Sequence, residues 1–269
     1  MDSARMTSKE LASTFDSVGS NYDKFRPGYL DALYREIFSC CPLDSSSQVL
    51  EIGIGSGQAT RPFLEIGCHV KAVEPGAKLA ALCKEKFSEY PNLTVINQKF
   101  EDVSLEAGSF DLIYSATAFH WIPEALGYPK VFSLLKKDGV FAQFANHPDP
   151  YVENPKLSEE LRQLYKKYYF SFWKEKKRKF CAFTEDGAKL RAEIIEKYGF
   201  SNCRYLLFKR LRTFSAKEYI GLLNTYSDHI AIPEPLRNEF FLKIAGVIDR
   251  NGGRFVVRDT LDLELAKKQ

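Results

Sequence analysis

The chain reads as an α/β protein built on a doubly wound, mostly parallel sheet of seven strands, with an antiparallel final strand and a helical cap insertion. Three observations predict this. Short apolar runs alternate with helical-period segments from Val49 to about Asn146. The run VLEI at 49–52 feeds a turn with glycines at Gly53, Gly55 and Gly57 and then a helix start, the pattern of a strand, a tight loop and a helix. Two long alternating stretches, FSNCRYLLFKRLRTF and RFVVRDTLDLELAKK, close the chain and suit an antiparallel edge on a parallel sheet. The expected organisation is 1–146 as the first part of the core, 147–186 as a helical cap and 187–269 as the rest of the core.

Taken in order, Leu30, Leu33, Tyr34, Ile37 and Phe38 recur at helical spacing, which predicts a helix over 27–40. Pro27 suits its opening, where a missing N–H costs nothing. The proline holds Arg26 out of helical geometry, leaving it to project toward a neighbouring site or to sit as an ordinary surface arginine. After the glycine loop, a second apolar run, HVKAVEP, ends in Glu74, 23 positions beyond Glu51. A carboxylate there is placed to accept hydrogen bonds from a ribose. The alternative is an ordinary strand-end acid.

A helix over 76–90, a strand LTVIN, the loop KFEDVS and a fourth strand SFDLIYS follow, the last running into ATAFHWIP. A helix over 123–136 and the strand GVFAQFAN come next. Helices over 185–198, 216–226 and 234–251 separate and follow the sixth strand, and the turn Asn251-Gly252-Gly253 leads into the last one. Right-handed crossovers bring the carboxyl ends of parallel strands to one edge, where ligands bind. The glycine loop, Glu74, Phe100 to Asp102 and Ser115 to Trp121 should therefore converge.

With 269 residues, 45% hydrophobic and 14% aromatic, the chain has a sizeable core, and disorder is expected only at its ends. A formal net charge of +3 supports no global attraction to nucleic acid or membrane. The six cysteines are scattered without a C-x-x-C pair and read as reduced thiols. There is no apolar signal core and no apolar run near the roughly 18 residues a bilayer span needs, so a cytoplasmic protein is expected. His69, His147 and His229 lack partners at metal-ligand spacing, and no metal is expected.

The segment 151–180 carries nine Lys or Arg against four Glu, interleaved with Tyr165, Tyr168, Tyr169, Phe170, Phe172 and Trp173. Such a stretch fits an anionic partner, including nucleic acid with base stacking. The apolar residues keep the helical period, however, which favours an aromatic face packed on the core with lysines in solvent. That argues against nucleic acid. A lid drawing in a small anion lies between the two.

Gln58 stands where a G-x-G-x-x-G fingerprint wants its third glycine, which counts against a dinucleotide and its pyrophosphate. A ligand with an adenosine ribose but no pyrophosphate still needs Glu74, and S-adenosylmethionine is such a ligand. The residues E51-I-G53-I-G55-S-G57, E74-P75, F100-E101-D102, F110-D111-L112-I113 and A118-F119-H120-W121 together resemble the class I S-adenosylmethionine-dependent methyltransferases, with their Rossmann-like fold. More narrowly, they resemble the type 11 group that includes trans-aconitate methyltransferase-like proteins. YDKFRPGYL near the start is similar to that group's opening segment.

The resemblance implies that Glu51, Gly53, Gly55 and Gly57 wrap the methionine end and ribose, that Glu74, followed by Pro75, binds the ribose hydroxyls, and that Phe100 and Glu101 flank the adenine. It implies further that Ser115 and Ala116 support the methionine portion and that Tyr22 and Arg26 close over the cofactor. Many relatives carry Asp where Lys99 stands, so adenine recognition would rest on Glu101 or backbone groups. The expected acceptor is a small molecule such as a carboxylate. His120 then serves as a base or, with Trp121, as a shaper of the acceptor site. A structural role for both under the following helix, a cofactor-binding protein without methyl transfer, and an RNA or protein methyltransferase are the alternatives. A homodimer is compatible with the sequence.

Overall fold

The computed structural model of the chain describes residues 28–150, 154–174 and 182–269. One sheet contains β1 (Gln48–Ile52), β2 (His69–Val73), β3 (Leu93–Ile96), β4 (Phe110–Ala116), β5 (Leu135–Asp149), β6 (Ser201–Phe214) and β7 (Phe255–Lys267). Their spatial order is β3-β2-β1-β4-β5-β7-β6. The first five are parallel neighbours. Asp138 N donates to Lys268 O and Lys268 N to Gly139 O, joining the start of β5 to the end of β7, and the seven-stranded, mostly parallel sheet with antiparallel end strands is as expected. Strand order reverses between β1 and β4, the point at which open sheets of this kind bind ligands.

The described residues form two units. One holds 28–146, 183–208 and 261–269; the other holds 147–150, 154–174, 182 and 209–260. The second therefore groups residues 209–260 with 147–150, 154–174 and 182 of the expected cap, whereas 183–186 fall in the first unit. The unit around β1 has a core on each face of the sheet, because successive strand residues point opposite ways. Val49, Leu112 and Ala142 pack with Leu33 and Ile37 of α1 (Asp31–Cys40) and Phe63 of α2 (Arg61–Ile66). Leu50, Ile113 and Phe141 pack on the other face with Val131 of α4 (Glu124–Leu134) and Ile195 of α6 (Glu185–Lys197). Between α2 and α4 comes α3 (Ala77–Lys86), whose Ala80 and Cys83 lie in the α1 face. Phe63 is fully buried and stacks on Tyr114 at 4.3 Å, a burial that stabilises by about 3 kcal/mol.

Helix ends are shorter than periodicity predicts. The first begins at Asp31; Pro27, with Arg26 and Tyr22, lies outside the described residues. Strand β5 begins at Leu135, where the sequence reads as the end of a helix over 123–136.

In the second unit, α5 (Pro155–Leu164) is opened by Asn154, whose side chain accepts from Leu157 N, and it runs into a π-helical segment, Tyr165–Phe170. That segment sets Tyr165 and Tyr169 beside α8 (Ser227–Ile230): Tyr165 Oη lies 3.0 Å from His229 Nε2, and Tyr169 Oη donates to Asp228 at 2.6 Å. Leu157, Leu161 and the buried tyrosines share one core with Tyr219 and Leu222 of α7 (Ala216–Leu223) and Phe240 and Ile244 of α9 (Glu234–Arg250). Those aromatic side chains pack as the helical period predicts. Of the basic run at 174–180, only Lys174 lies within the described residues.

Candidate functional site

Strand β1 ends at Ile52, and the chain enters the left-handed region at Gly53 (φ 76°), Gly55 (57°) and Gly57 (79°). Two of these glycines are required sterically as well. A Cβ on Gly53 would stand 2.4 Å from the methyl group of Ala118, and one on Gly57 would stand 2.3 Å from the Phe87 ring. The loop is held from below by α3: Cys83 Sγ donates to Gly55 O at 3.1 Å, and Lys86 Nζ donates to Ser56 O at 2.9 Å. Gln58 turns inward to Ser56 Oγ.

Glu74 closes this loop. Following β2, its Oε2 accepts from Gly55 N and its Oε1 from Gly76 N, each at 2.9 Å, so one carboxylate joins the glycine loop to the start of α3. Asn97, which no local pattern singles out, donates to Glu74 O at 2.8 Å and to Pro75 O at 3.1 Å, fixing the turn behind it. Pro75 is exposed there.

Glu51 lies underneath. It is 1% exposed and accepts from Thr60 Oγ1 at 2.7 Å. Burial pushes its carboxyl up to about 8, the Thr60 hydrogen bond opposes this, and the charge of Glu74 adds to it. The side chain thus supports the loop from the core, and any wrapping of a ligand at this position falls to its main chain.

Phe100 is likewise packed inside, 3% exposed, with Lys130 Nζ 5.1 Å from its ring centre. Lys130 of α4 also donates to Glu101 O at 3.1 Å and Val103 O at 2.6 Å, gripping the loop that carries the expected adenine-flanking residues. Glu101 is half-buried. Nothing local to Lys130 announces this role, because its partners lie nearly thirty residues away.

At the end of β4, Ser115 is fully buried and its hydroxyl donates to Ile52 O at 2.9 Å, tying the ends of β4 and β1 together. Ala116 is half-buried, and Thr117 follows it at φ 57°. A 3-10 turn, Phe119–Trp121, comes next. Phe119 anchors it against Tyr128 and Phe141, while His120 is exposed with its ring 4.9 Å from that of Trp121.

The structure therefore brings Gly53, Gly55, Gly57, Glu74, Ser115 and Ala116 to the carboxyl edge around β1 and β4, with Phe100 and Glu101 on the loop after β3. His120 and Trp121 stand one turn beyond β4. Tyr22 and Arg26 lie outside the described residues. Among the described residues no group of His, Cys, Asp and Glu could hold a metal ion, and no helix is long and apolar enough to cross a membrane.

These residues fit an adenosine ribose. Glu74 stands after β2 beside the glycine loop, where a carboxylate is placed to accept from a ribose diol. The carboxylate of Glu74 beside the loop suits a ligand carrying positive charge.

A methyltransferase-domain family model matches residues 49–139, from β1 into β5. An uncharacterised methyltransferase-like protein of Schizosaccharomyces pombe is 28% identical over 229 residues, covering 82% of this chain and 80% of that protein. An uncharacterised methyltransferase of Anoxybacillus flavithermus is 32% identical over 151 residues, 51% of this chain and 68% of that protein. The solved structure of a Haemonchus contortus phosphoethanolamine N-methyltransferase with phosphomonomethylethanolamine and S-adenosylhomocysteine matches 98% of this chain and 60% of its own, at a TM-score of 0.56 and 14% identity. That last likeness is one of fold.

Proposed function

The chain belongs to the class I S-adenosylmethionine-dependent methyltransferases, and from that premise we propose that it transfers the cofactor's methyl group to a small-molecule acceptor, with a carboxylate first among the classes. The observation that carries the cofactor side is Glu74, one carboxylate spanning the glycine loop and the next helix at the switch point of the sheet. In this reading Glu74 accepts the ribose hydroxyls, the main chain at Gly53 to Gly57 lies along the ribose and methionine portion, and Glu101 with its neighbouring main chain meets the adenine. Ala116 supports the methionine portion, since the Ser115 hydroxyl is committed to β1.

Bound S-adenosylmethionine supplies an electrophilic sulfonium methyl group, so the protein's task is to align a nucleophile. A carboxylate is nucleophilic at neutral pH without losing a proton. His120 and Trp121 then position the acceptor, and His120 takes a proton only where the acceptor is a hydroxyl or amine. The narrower likeness to trans-aconitate methyltransferases at Ala118 to Trp121 supports the carboxylate class.

The test is to incubate the chain with methyl-labelled cofactor and a metabolite extract, alongside panels of small carboxylates, amines and alcohols. A labelled, base-labile ester is the expected product. Label confined to RNA or protein fractions would overturn the small-molecule reading, and cofactor binding without any labelled product would sink methyl transfer to such acceptors. His120→Ala should lower turnover while leaving cofactor affinity unchanged.

A further inference from the structure

Thr117 is a β-branched residue in the left-handed region, at φ 57°. A β-branched side chain there is an outlier that costs on the order of 1–3 kcal/mol and persists only where its surroundings hold it. Glycine or asparagine would adopt the same turn at lower cost, so the threonine side chain has something to offer in return.

Its surroundings are specific. Thr117 N donates to Phe144 O at 2.8 Å, and Asn146 N donates to Thr117 Oγ1 at 3.3 Å, which fixes the turn to the end of β5. From the other side, Tyr29 Oη lies 2.7 Å from Thr117 Oγ1 across 88 residues of sequence. The Tyr29 ring sits edge-on to Phe144 at 4.8 Å. Its neighbour Gly28 runs close to Gln58 O, which a Cβ would meet at 3.8 Å. Residues 28–29 thus lie against both the glycine loop and the turn after β4. The residue after Thr117 is Ala118, whose methyl group fills the space beside Gly53. A change in the backbone at 117 would move that methyl group away from the loop or into it.

The geometry points to Tyr29 and Thr117 as a positioning pair for the methyl-transfer site: their hydrogen bond holds the left-handed turn after β4 against Gly53 and so sets the affinity for the cofactor. This rests on the cofactor reading of the glycine loop. Neither residue need touch the cofactor, because both act through the main chain at 116–118. Threonine is used because its hydroxyl can be gripped from outside, as glycine cannot.

Calorimetric titration of S-adenosylhomocysteine into the full chain tests the pair, using Tyr29→Phe, Thr117→Val, Thr117→Ser and the Tyr29→Phe/Thr117→Val double variant. Tyr29→Phe should weaken binding by about three- to tenfold, the equivalent of one hydrogen bond, and Thr117→Val, which also strips Asn146 N of its acceptor, by at least as much. The double variant should bind no more weakly than the worse single variant, since both lose the same bond. Thr117→Ser, which keeps the hydroxyl, should bind within about twofold of the wild type on the same scale. A merely structural bond would lower the unfolding midpoint and leave the affinity of the folded protein unchanged, and that result overturns the proposal, as do additive losses. Should Thr117→Val fail to fold, Tyr29→Phe decides alone. Wild-type protein that takes up no S-adenosylhomocysteine overturns the cofactor reading beneath the pair; normal wild-type uptake with unaffected Tyr29→Phe overturns the pair only.

Discussion

The methyl group of Ala118 occupies the place that a side chain on Gly53 would need, 2.4 Å from an ideal Cβ. The glycine loop after β1 and the turn after β4 are therefore fitted to each other through one missing side chain. Loop conformation and turn position are not independent quantities.

Gly53→Ala should shift both elements, destabilise the protein by on the order of 1–3 kcal/mol and weaken S-adenosylhomocysteine binding. Adding Ala118→Gly should restore part of the affinity by vacating the contested space, while the strain of a positive φ at position 53 remains. Gly108→Ala is the control: its φ is 63° but a Cβ there meets nothing within 4 Å, so stability should fall slightly and affinity stay constant. Thermal unfolding and calorimetry on the three variants and the wild type check this.

Glu74→Gln is nearly isosteric but sets an NH2 group against one of two main-chain donors. At least one charge-assisted hydrogen bond is lost, and affinity for S-adenosylhomocysteine should fall on the order of ten- to a hundredfold. Wild-type affinity in a titration of this variant would remove Glu74 from the site.

Stability should decline as pH rises from acid to alkaline. Burial raises the Glu51 carboxyl to about 8, and burial followed by the neighbouring Asp262 charge raises that of Glu264, which is fully buried on β7 with neither carboxyl oxygen hydrogen-bonded. The folded protein keeps protons that the unfolded chain releases above roughly pH 4.3. The contribution is thus whole below that pH and lost as pH rises through the folded values, by on the order of a few kcal/mol. Urea midpoints at about pH 5, 7 and 9 should fall in that order, and Glu51→Gln should flatten the slope.

Lys130→Met keeps the stem but releases the carbonyl groups of Glu101 and Val103. The expected outcome is a three- to tenfold loss of S-adenosylhomocysteine affinity, about one to two hydrogen bonds' worth. Faster amide exchange confined to residues 100–103 would accompany it.

The fold was legible because its signals are local: the period of VLEI, HVKAV and FDLIY, the three glycines, and an acid 23 residues beyond Glu51. Glu74 and the glycines were readable for the same reason. What escaped depends on distant partners. Residues 135–136 look like the end of a helix, yet they join β5, whose start is held where Asp138 and Gly139 bond to Lys268. The regular period of 155–173 gives no hint of the π-helical segment, which is where Tyr165 and Tyr169 meet His229 and Asp228. Glu51 shares its motif with the glycines, but only packing shows its side chain turned to Thr60. Lys130 and Thr117 had no pattern to declare them.

Among the described residues the chain passes between its two units at 146/147, 182/183, 208/209 and 260/261. Neither unit is a single run of sequence, and the core of the second unit is shared by Leu157, Leu161 and Tyr165 from one run and Phe240, Ile244 and Val257 from another. Excising 147–182 as if it were a detachable lid would strip Leu157, Leu161, Tyr165, Tyr168 and Tyr169 from that core and leave 209–260 with exposed aromatic surface. Recombination between relatives that exchanges one run alone should give aggregating chimaeras, whereas a swap with all four junctions matched should fold. What this unit contributes to the protein is carried by two separate stretches of sequence.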